Sequence, residues 1–413
     1  MKILQISDIH WKKRRKWSDE NKGMKSRFIE DIKEYVEING NIDYVFICGD
    51  IVFKGEREEY ELAEKYINKI CETAGCTNDE VFVVPGNHDL NRKVEGAALR
   101  EMLNVALADE GRNNDFLDEV ILRSPELRNA QFKAFEAYNT FAKKFLCGEE
   151  LMDQCVQKQG TINEEGNLYY HERLPKLVGD FSVSVRGVNT ALNCDAWDLN
   201  IEKAQGHKQI LPRRAYVLDE EKKQEIRILI GHHPIQFLTS SKEVDDYLNQ
   251  HYHIQFFGHV HKQCVEGNNC IRILSGAFDP PNDKDQHEYY KPVYNIIEIN
   301  KKDDTHIVVK GRSQIWKNFR FEEYENGSFE KEIEIEKNEN KWKQPAMVQE
   351  KEIDKRSIKF KFIKLENRAN YFNKVSSVHF EPDMARSEYD NCLDFLAALE
   401  KAGKLEELNI IMG

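Results

Sequence analysis

Three short runs of consecutive apolar residues near the N-terminus each stop at a polar side chain: 2–7 (KILQIS) at Asp8, 43–48 (DYVFIC) at Gly49-Asp50, and 80–84 (EVFVV) at Pro85-Gly86-Asn87. Runs of this length predict buried strands whose C-terminal ends carry polar groups. Between them, 24–38 and 58–72 repeat apolar residues at three- and four-residue intervals, the period of a helix with one buried face. Strand alternating with helix predicts an α/β layered fold.

Residues 96–158 change texture: they are charged, helical in period and without strand-like runs, which predicts a helical insertion or cap. Strand patterns return at 181–188, 226–230, 254–257, 271–274, 293–299 and 306–312, so the catalytic fold is expected to span 1–318. Residues 319–345 are dense in Glu and Lys and read as a charged connector, although the alternation at 329–335 (FEKEIEI) also suits a strand. The tail, 346–413, ends in an amphipathic stretch in which Leu393, Leu396, Leu399, Leu405 and Leu408 could line one side of a helix–turn–helix around Gly403. A small packing or docking module is expected there. No internal repeat or low-complexity tract interrupts the chain.

At 413 residues the chain exceeds what one core usually organises, which agrees with a large domain and a smaller appendage. No apolar run is long enough to cross a bilayer, so no membrane partner is expected. The N-terminus runs directly into a strand without the pattern of a secretory signal, and the nine cysteines are scattered with no CxxC pair. A cytoplasmic protein with free thiols is the expectation. The net charge of −12 argues against coating nucleic acid through global charge, while leaving room for a local basic patch.

Five short motifs follow apolar runs in order: Asp8-Ile-His10, Gly49-Asp50, Gly86-Asn87-His88-Asp89, Gly231-His232-His233-Pro234 and Gly258-His259-Val260-His261. One Asp-x-His or Gly-Asp is usually a turn; five in sequence point to metal chemistry. Carboxylate oxygens and imidazole nitrogens suit Mn, Fe, Zn and similar divalent ions, and strand C-termini can deliver them to one shared edge. A glycine before each ligand is expected to let the backbone turn sharply.

The ordered motifs resemble the calcineurin-like metallophosphoesterase superfamily, over roughly residues 1–300. That resemblance implies a four-layer β-sandwich flanked by helices, with two divalent ions at one edge, Mn first among Fe, Zn, Co and Ni. By motif, Asp8, His10 and His261 correspond to ligands of one ion, Asp50 to the bridge, and Asn87, His232 and His259 to ligands of the other. His88 is similar to the catalytic histidine of the family. In the pair His232-His233 the residue that ends the strand, His232, is favoured as ligand. Asp89 reads as a turn residue or as an orienter of a ligand histidine.

Substrate choice turns on Lys12-Lys13-Arg14-Arg15-Lys16, five basic residues just after a candidate ligand, flanked by Trp11 and Trp17. Cations there suit the backbone of a polyanion and the indoles an unpaired base; a solvated loop is the bland alternative. A nuclease is therefore placed ahead of a cyclic-nucleotide or other small-molecule phosphodiesterase or phosphatase, and a non-catalytic scaffold comes last. The tail loosely resembles helical adaptor modules of bacterial defence effectors, which implies a protein partner. Asn189 and Thr190, after a predicted strand, lie either at the site edge or in a structural turn.

Overall fold

The computed structural model describes residues 1–12, 23–107, 116–121, 123–145, 147, 170–173, 176–195, 208–218, 224–267, 270–279 and 291–335, with isolated positions between 394 and 404. In chain order the first unit contains β1 (Lys2–Ile6), α1 (Met24–Asn39), β2 (Tyr44–Ile47), α2 (Arg57–Ala74) and β3 (Val81–Val83), then α3 (Ala97–Leu107), α4 (Pro125–Phe132) and α5 (Glu136–Ala142). There follow β4 (Tyr170–Arg173), β5 (Ser182–Val188), α6 (Arg213–Tyr216), β6 (Glu225–Ile230), α7 (Ser241–His251), β7 (Ile254–Phe257), β8 (Gln263–Glu266) and β9 (Ile271–Ser275). The last strands are β10 (Val293–Lys301), β11 (His306–Lys317), β12 (Arg320–Glu323) and β13 (Phe329–Glu334).

Two sheets form. One runs β12-β11-β10-β1-β2-β3, with β13 also paired to β11, and the other runs β4-β5-β6-β7-β9-β8. β1, β2 and β3 are parallel, as are β5, β6, β7 and β9. Side chains alternate between faces along each strand, so every strand feeds two cores. Ile3, Phe46 and Phe82 meet Ile228, Phe256 and Ile273 in a core shared by the two sheets. Leu4, Val45 and Val83 point the other way, into a core with Phe28 of α1 and Ile67 of α2. Leu229, Phe257 and Leu274 do the same for the second sheet, with Leu248 of α7 and Leu103 of α3. The result is helix, sheet, sheet, helix, which accounts for strands that read as unbroken apolar runs.

Helix α2 illustrates the local logic. Tyr60, Ala63, Ile67, Ile70 and Ala74 are buried at helical spacing, and Gly75 ends the helix at φ 77°, its N–H donating to Cys71 O.

Two expectations are corrected. The insertion at 96–158 does not form one separate cap among its described residues; its helices divide between the outer layers. Leu103, Leu107 and Ala130 join the core of the second sheet. Tyr138, Phe141 and Phe145 join α2, with Tyr138 Oη donating to Val83 O at 3.2 Å. The boundary near 318 and the connector at 319–345 also give way, because β12 and β13 both pair with β11 and the compact unit closes at Glu336. The strand alternative at 329–335 is the one realised.

Lys337–Gly413 form a second unit. Its described residues include helical positions 394–396 and 398–399, where Phe395, Leu396 and Leu399 are buried. Leu393, Leu405 and Leu408 lie outside the described residues. No described helix is long and apolar enough to cross a membrane.

Candidate metal centre

The C-terminal ends of β1, β2 and β3 in one sheet, and of β6 and β7 in the other, deliver all five motifs to one place. Beyond the strand ends the pairing continues through the backbone: Asp8 N donates to Gly49 O and His10 N to Asp50 O, each at 3.0 Å. These bonds hold unusual conformations. Asp8 (φ 53°), His10 (φ 50°), Asp50 (φ 52°), His259 (φ 69°) and His261 (φ 55°) all occupy the left-handed region. For an L-residue each such φ costs on the order of 1–2 kcal/mol. Strain so concentrated is the kind that functional geometry demands.

The glycines work differently from expectation. Of Gly49, Gly86, Gly231 and Gly258, only Gly49 has a positive φ, 84°. Gly86 and Gly258 are needed for space: a Cβ on Gly86 would lie 2.2 Å from Asp50 Oδ1, and one on Gly258 would lie 2.1 Å from Ser7 Oγ.

The side chains interlock. Asn87 Oδ1 lies 3.1 Å from both His232 Nε2 and His259 Nδ1. Asp50 sits between two groups, Oδ2 at 3.2 Å from His10 Nε2 and Oδ1 at 3.5 Å from His232 Nε2. Asp8 Oδ1 faces His261 Nε2 at 3.3 Å, while Asp8 Oδ2 accepts from Ser7 Oγ at 2.6 Å. Backbone carbonyls orient the rings from behind: His232 Nδ1 is 2.7 Å from Cys48 O, and His10 Nδ1 is 3.3 Å from Asp279 O. Donor atoms lie within 4.8 Å of one another in each of four sets: Asp8, His10 and His261; His10, Asp50 and His88; Asp8, Asp50 and His232; His232, His233 and His259.

The electrostatics suit a cation. Burial opposes ionisation of Asp8, but its bond to His261 and the charges of His261 and His232 prevail and hold it at about 2. Burial of Asp50 is likewise outweighed, by His232, His88 and His10, and its pKa falls well below the usual carboxylate range. Burial, with His232 beside it, brings His259 down to about 3. Anionic carboxylates and neutral imidazoles are the states that bind metal.

His88 donates its backbone N–H to Asp50 Oδ1 at 2.7 Å, and its Nδ1 lies 3.0 Å from Phe53 O. Its ring stacks on Phe53 at 4.8 Å. Burial, only partly offset by the charge of Asp50, lowers its pKa to about 4. His233 is engaged elsewhere, Nδ1 with Thr190 Oγ1 at 2.9 Å and Nε2 with Cys194 Sγ at 3.8 Å. Thr190 thus reaches the back of the site, whereas Asn189 Oδ1 accepts from Ala191 N in a local turn. Asp89 contacts no ligand histidine. Its carboxylate accepts from the backbone N–H groups of Ile51, Val52 and Gly86 and from Tyr60 Oη, and so shapes the Asp50 loop.

Trp11 also departs from expectation. It bridges to Val52, meets Tyr66 edge-on at 5.3 Å, and carries Lys25 Nζ 3.2 Å above its ring, so it is packed rather than offered to a base. Lys12 Nζ lies 3.4 Å from the centroid of Phe53, one ring from His88. Lys13, Arg14, Arg15 and Lys16 lie outside the described residues. Ser7, Phe53 and Tyr60 were not singled out from sequence, because each acts through a neighbour and belongs to no motif.

A family model for calcineurin-like phosphoesterases matches residues 1–263, and the chain belongs to that family. It is 24% identical over 317 residues to the uncharacterized metallophosphoesterase-like protein YydB of Bacillus subtilis (strain 168), a match covering 73% of this chain. The chain spans 57% of the length of that relative. Among solved structures it is similar to a dimetal phosphatase from Danio rerio, with 12% identity, 81% of this chain and 99% of that one covered, and a TM-score of 0.40. It is also similar to wild-type Vps29 complexed with Zn from Entamoeba histolytica, with 12% identity, 81% and 100% covered, and a TM-score of 0.32.

Proposed function

We propose that this chain hydrolyses phosphodiesters at a two-metal centre, with nucleic acid ahead of a cyclic nucleotide as substrate. One observation carries the metal: the donor atoms of Asp8, His10, Asp50, His232, His259 and His261 converge in sets whose members lie within 4.8 Å of one another. Buried carboxylates are paired or coordinate a metal, and a cation among these donors would be held by both Asp8 and Asp50. In this reading Asp8, His10 and His261 hold one ion, Asn87, His232 and His259 hold the other, and Asp50 turns one oxygen toward each group. His232 is preferred to His233 because its Nε2 already faces Asn87 and Asp50. The donor set accepts Mn, Fe, Zn, Co or Ni, and Mn is the ion to load first.

Bound there, the ions supply Lewis-acid stabilisation of phosphoryl charge and lower the pKa of a nucleophilic water. The protein contributes position and a proton. With Nδ1 engaged by Phe53 O, His88 has Nε2 left for the departing oxygen, and the negative charge of a bound phosphate would raise its lowered pKa so that Nε2 can carry the proton delivered there. Lys12, beside Phe53, adds a cation for a substrate phosphate, and the four basic residues after it in sequence favour a polyanion. A cytoplasmic setting and a protein partner for the tail complete the proposal; free thiols among the described cysteines support the first.

The test is Mn-dependent turnover of single-stranded DNA, duplex DNA, RNA, cyclic AMP and bis-p-nitrophenyl phosphate. Wild type is compared with Asp50→Asn and His88→Asn. Asp50→Asn should be inactive on every substrate. His88→Asn should lose about 10²–10⁴ in rate on polymer and less on the nitrophenyl ester, whose leaving group needs no proton. Hydrolysis confined to the small diesters would replace nucleic acid with a small nucleotide; no turnover at all would remove the phosphoesterase reading.

A further inference from the structure

The hairpin joining β11 to β12 turns through Asn318 (φ 52°) and Phe319 (φ 59°). A two-residue turn with both φ positive favours Asn-Gly, because glycine has no Cβ to clash. Here the second position is phenylalanine, and it is 64% exposed. Its neighbours are anchored: Trp316 and Phe321 are 6% and 7% exposed, their rings 5.2 Å apart, and Phe321 lies 5.0 Å from Tyr294. Packing therefore explains the flanking aromatics and leaves Phe319 without a structural reason. An exposed aromatic at a sterically costly position points to function.

The strand register locates the tip. β10 runs antiparallel to β1 with Asn295 opposite Gln5, and β11 runs antiparallel to β10 with Ile315 opposite Val293. The ladder thus rises toward Ser7 and Asp8, and the tip continues past it on the edge that carries the candidate donors. It stands two strands aside and about three residues further on, roughly 10 Å in each direction. Lys317 and Arg320 flank the turn, both exposed; Arg320 is paired with Glu322 at 2.7 Å, and Lys317 also lies in the field of Glu322 without a direct ion pair to it.

We propose that this tip is a contact for single-stranded nucleic acid, Phe319 stacking on an unpaired base and Lys317 meeting a backbone phosphate of a strand that leads to the metal centre. An aromatic face next to a cation is the usual recognition chemistry for single strands, and it takes any base. The inference rests on the nucleic-acid reading above and names an element that holds the polymer.

The test is fluorescence anisotropy of a labelled phosphorothioate oligo(dT), which slows cleavage, titrated with the full chain loaded with Mn. Phe319→Gly should bind roughly tenfold more weakly, the loss of one stacked base. Its melting temperature should stay equal or rise, since glycine relieves the turn. Lys317→Glu should weaken binding and reduce the salt-dependence slope by about 0.7. Equal affinity for wild type and Phe319→Gly, or no binding by wild type, overturns the inference. Hydrolysis of bis-p-nitrophenyl phosphate tests the phosphoesterase reading separately and can persist with either result.

Discussion

Asp89 and Gly258 show how much of the site is held by residues that would touch neither metal nor substrate. Burial and the charge of Asp50 raise Asp89 to about 7, against the pull of its backbone N–H donors. Asp89→Ala would leave the buried N–H groups of Ile51, Val52 and Gly86 without their acceptor. The expected loss is on the order of 3 kcal/mol or more, read by chemical denaturation. Gly258→Ala would place a methyl group 2.1 Å from Ser7 Oγ and 2.7 Å from Cys48 O. The loop bearing His259 must then move, and Mn affinity should fall about tenfold in a calorimetric titration, as for other losses of support behind a ligand. The motifs named the donors, since Asp, Asn and His at strand ends are visible in a linear chain. Left-handed φ at Asp8, Asp50 and His259 was not visible, because it goes with hydrogen bonds to residues tens or hundreds of positions away, such as Gly49 O for Asp8 and the Asp8 carboxylate for His259.

Strands buried on both faces were legible as apolar runs; those missed, β4, β8 and β12, all lie at sheet edges. An edge strand such as Arg320–Glu323 mixes exposed and buried positions, so its composition resembles a loop. The consequence is testable by truncation. A chain ending at Asn318 removes both partners of β11 on one side, strips cover from Trp316 and Ile333 from its core, and should be recovered as aggregate. A chain ending at Glu336 keeps every described strand and should be soluble with an ordinary cooperative melt. Equal solubility of the two would put the boundary back near 318.

At the scale of the whole first unit, the site joins two sheets. Asp8 and His261, 3.3 Å apart, come from the ends of strands in different sheets, as do Asn87 and His232. Ions bound there would tie the sheets together and stabilise only the folded state. At a thousandfold excess over Kd that linkage is worth about 4 kcal/mol. Chelation should therefore lower the melting temperature by several degrees, added Mn should restore it, and Asp50→Asn should respond to neither. A melting temperature indifferent to chelator in wild type would argue against an ion at these donors.

By itself the sequence determined the layered α/β class, the strands of both sheet interiors, the family and the candidate donor residues, because burial on two faces and metal chemistry each demand particular residue types at short spacing. Tertiary structure decided the rest. Only the stacked sheets bring Asp8 beside His261, pack Trp11 under Lys25, and carry Phe319 to the edge where the candidate donors meet. Each of these depends on register and layer contacts between distant segments, which no local pattern encodes.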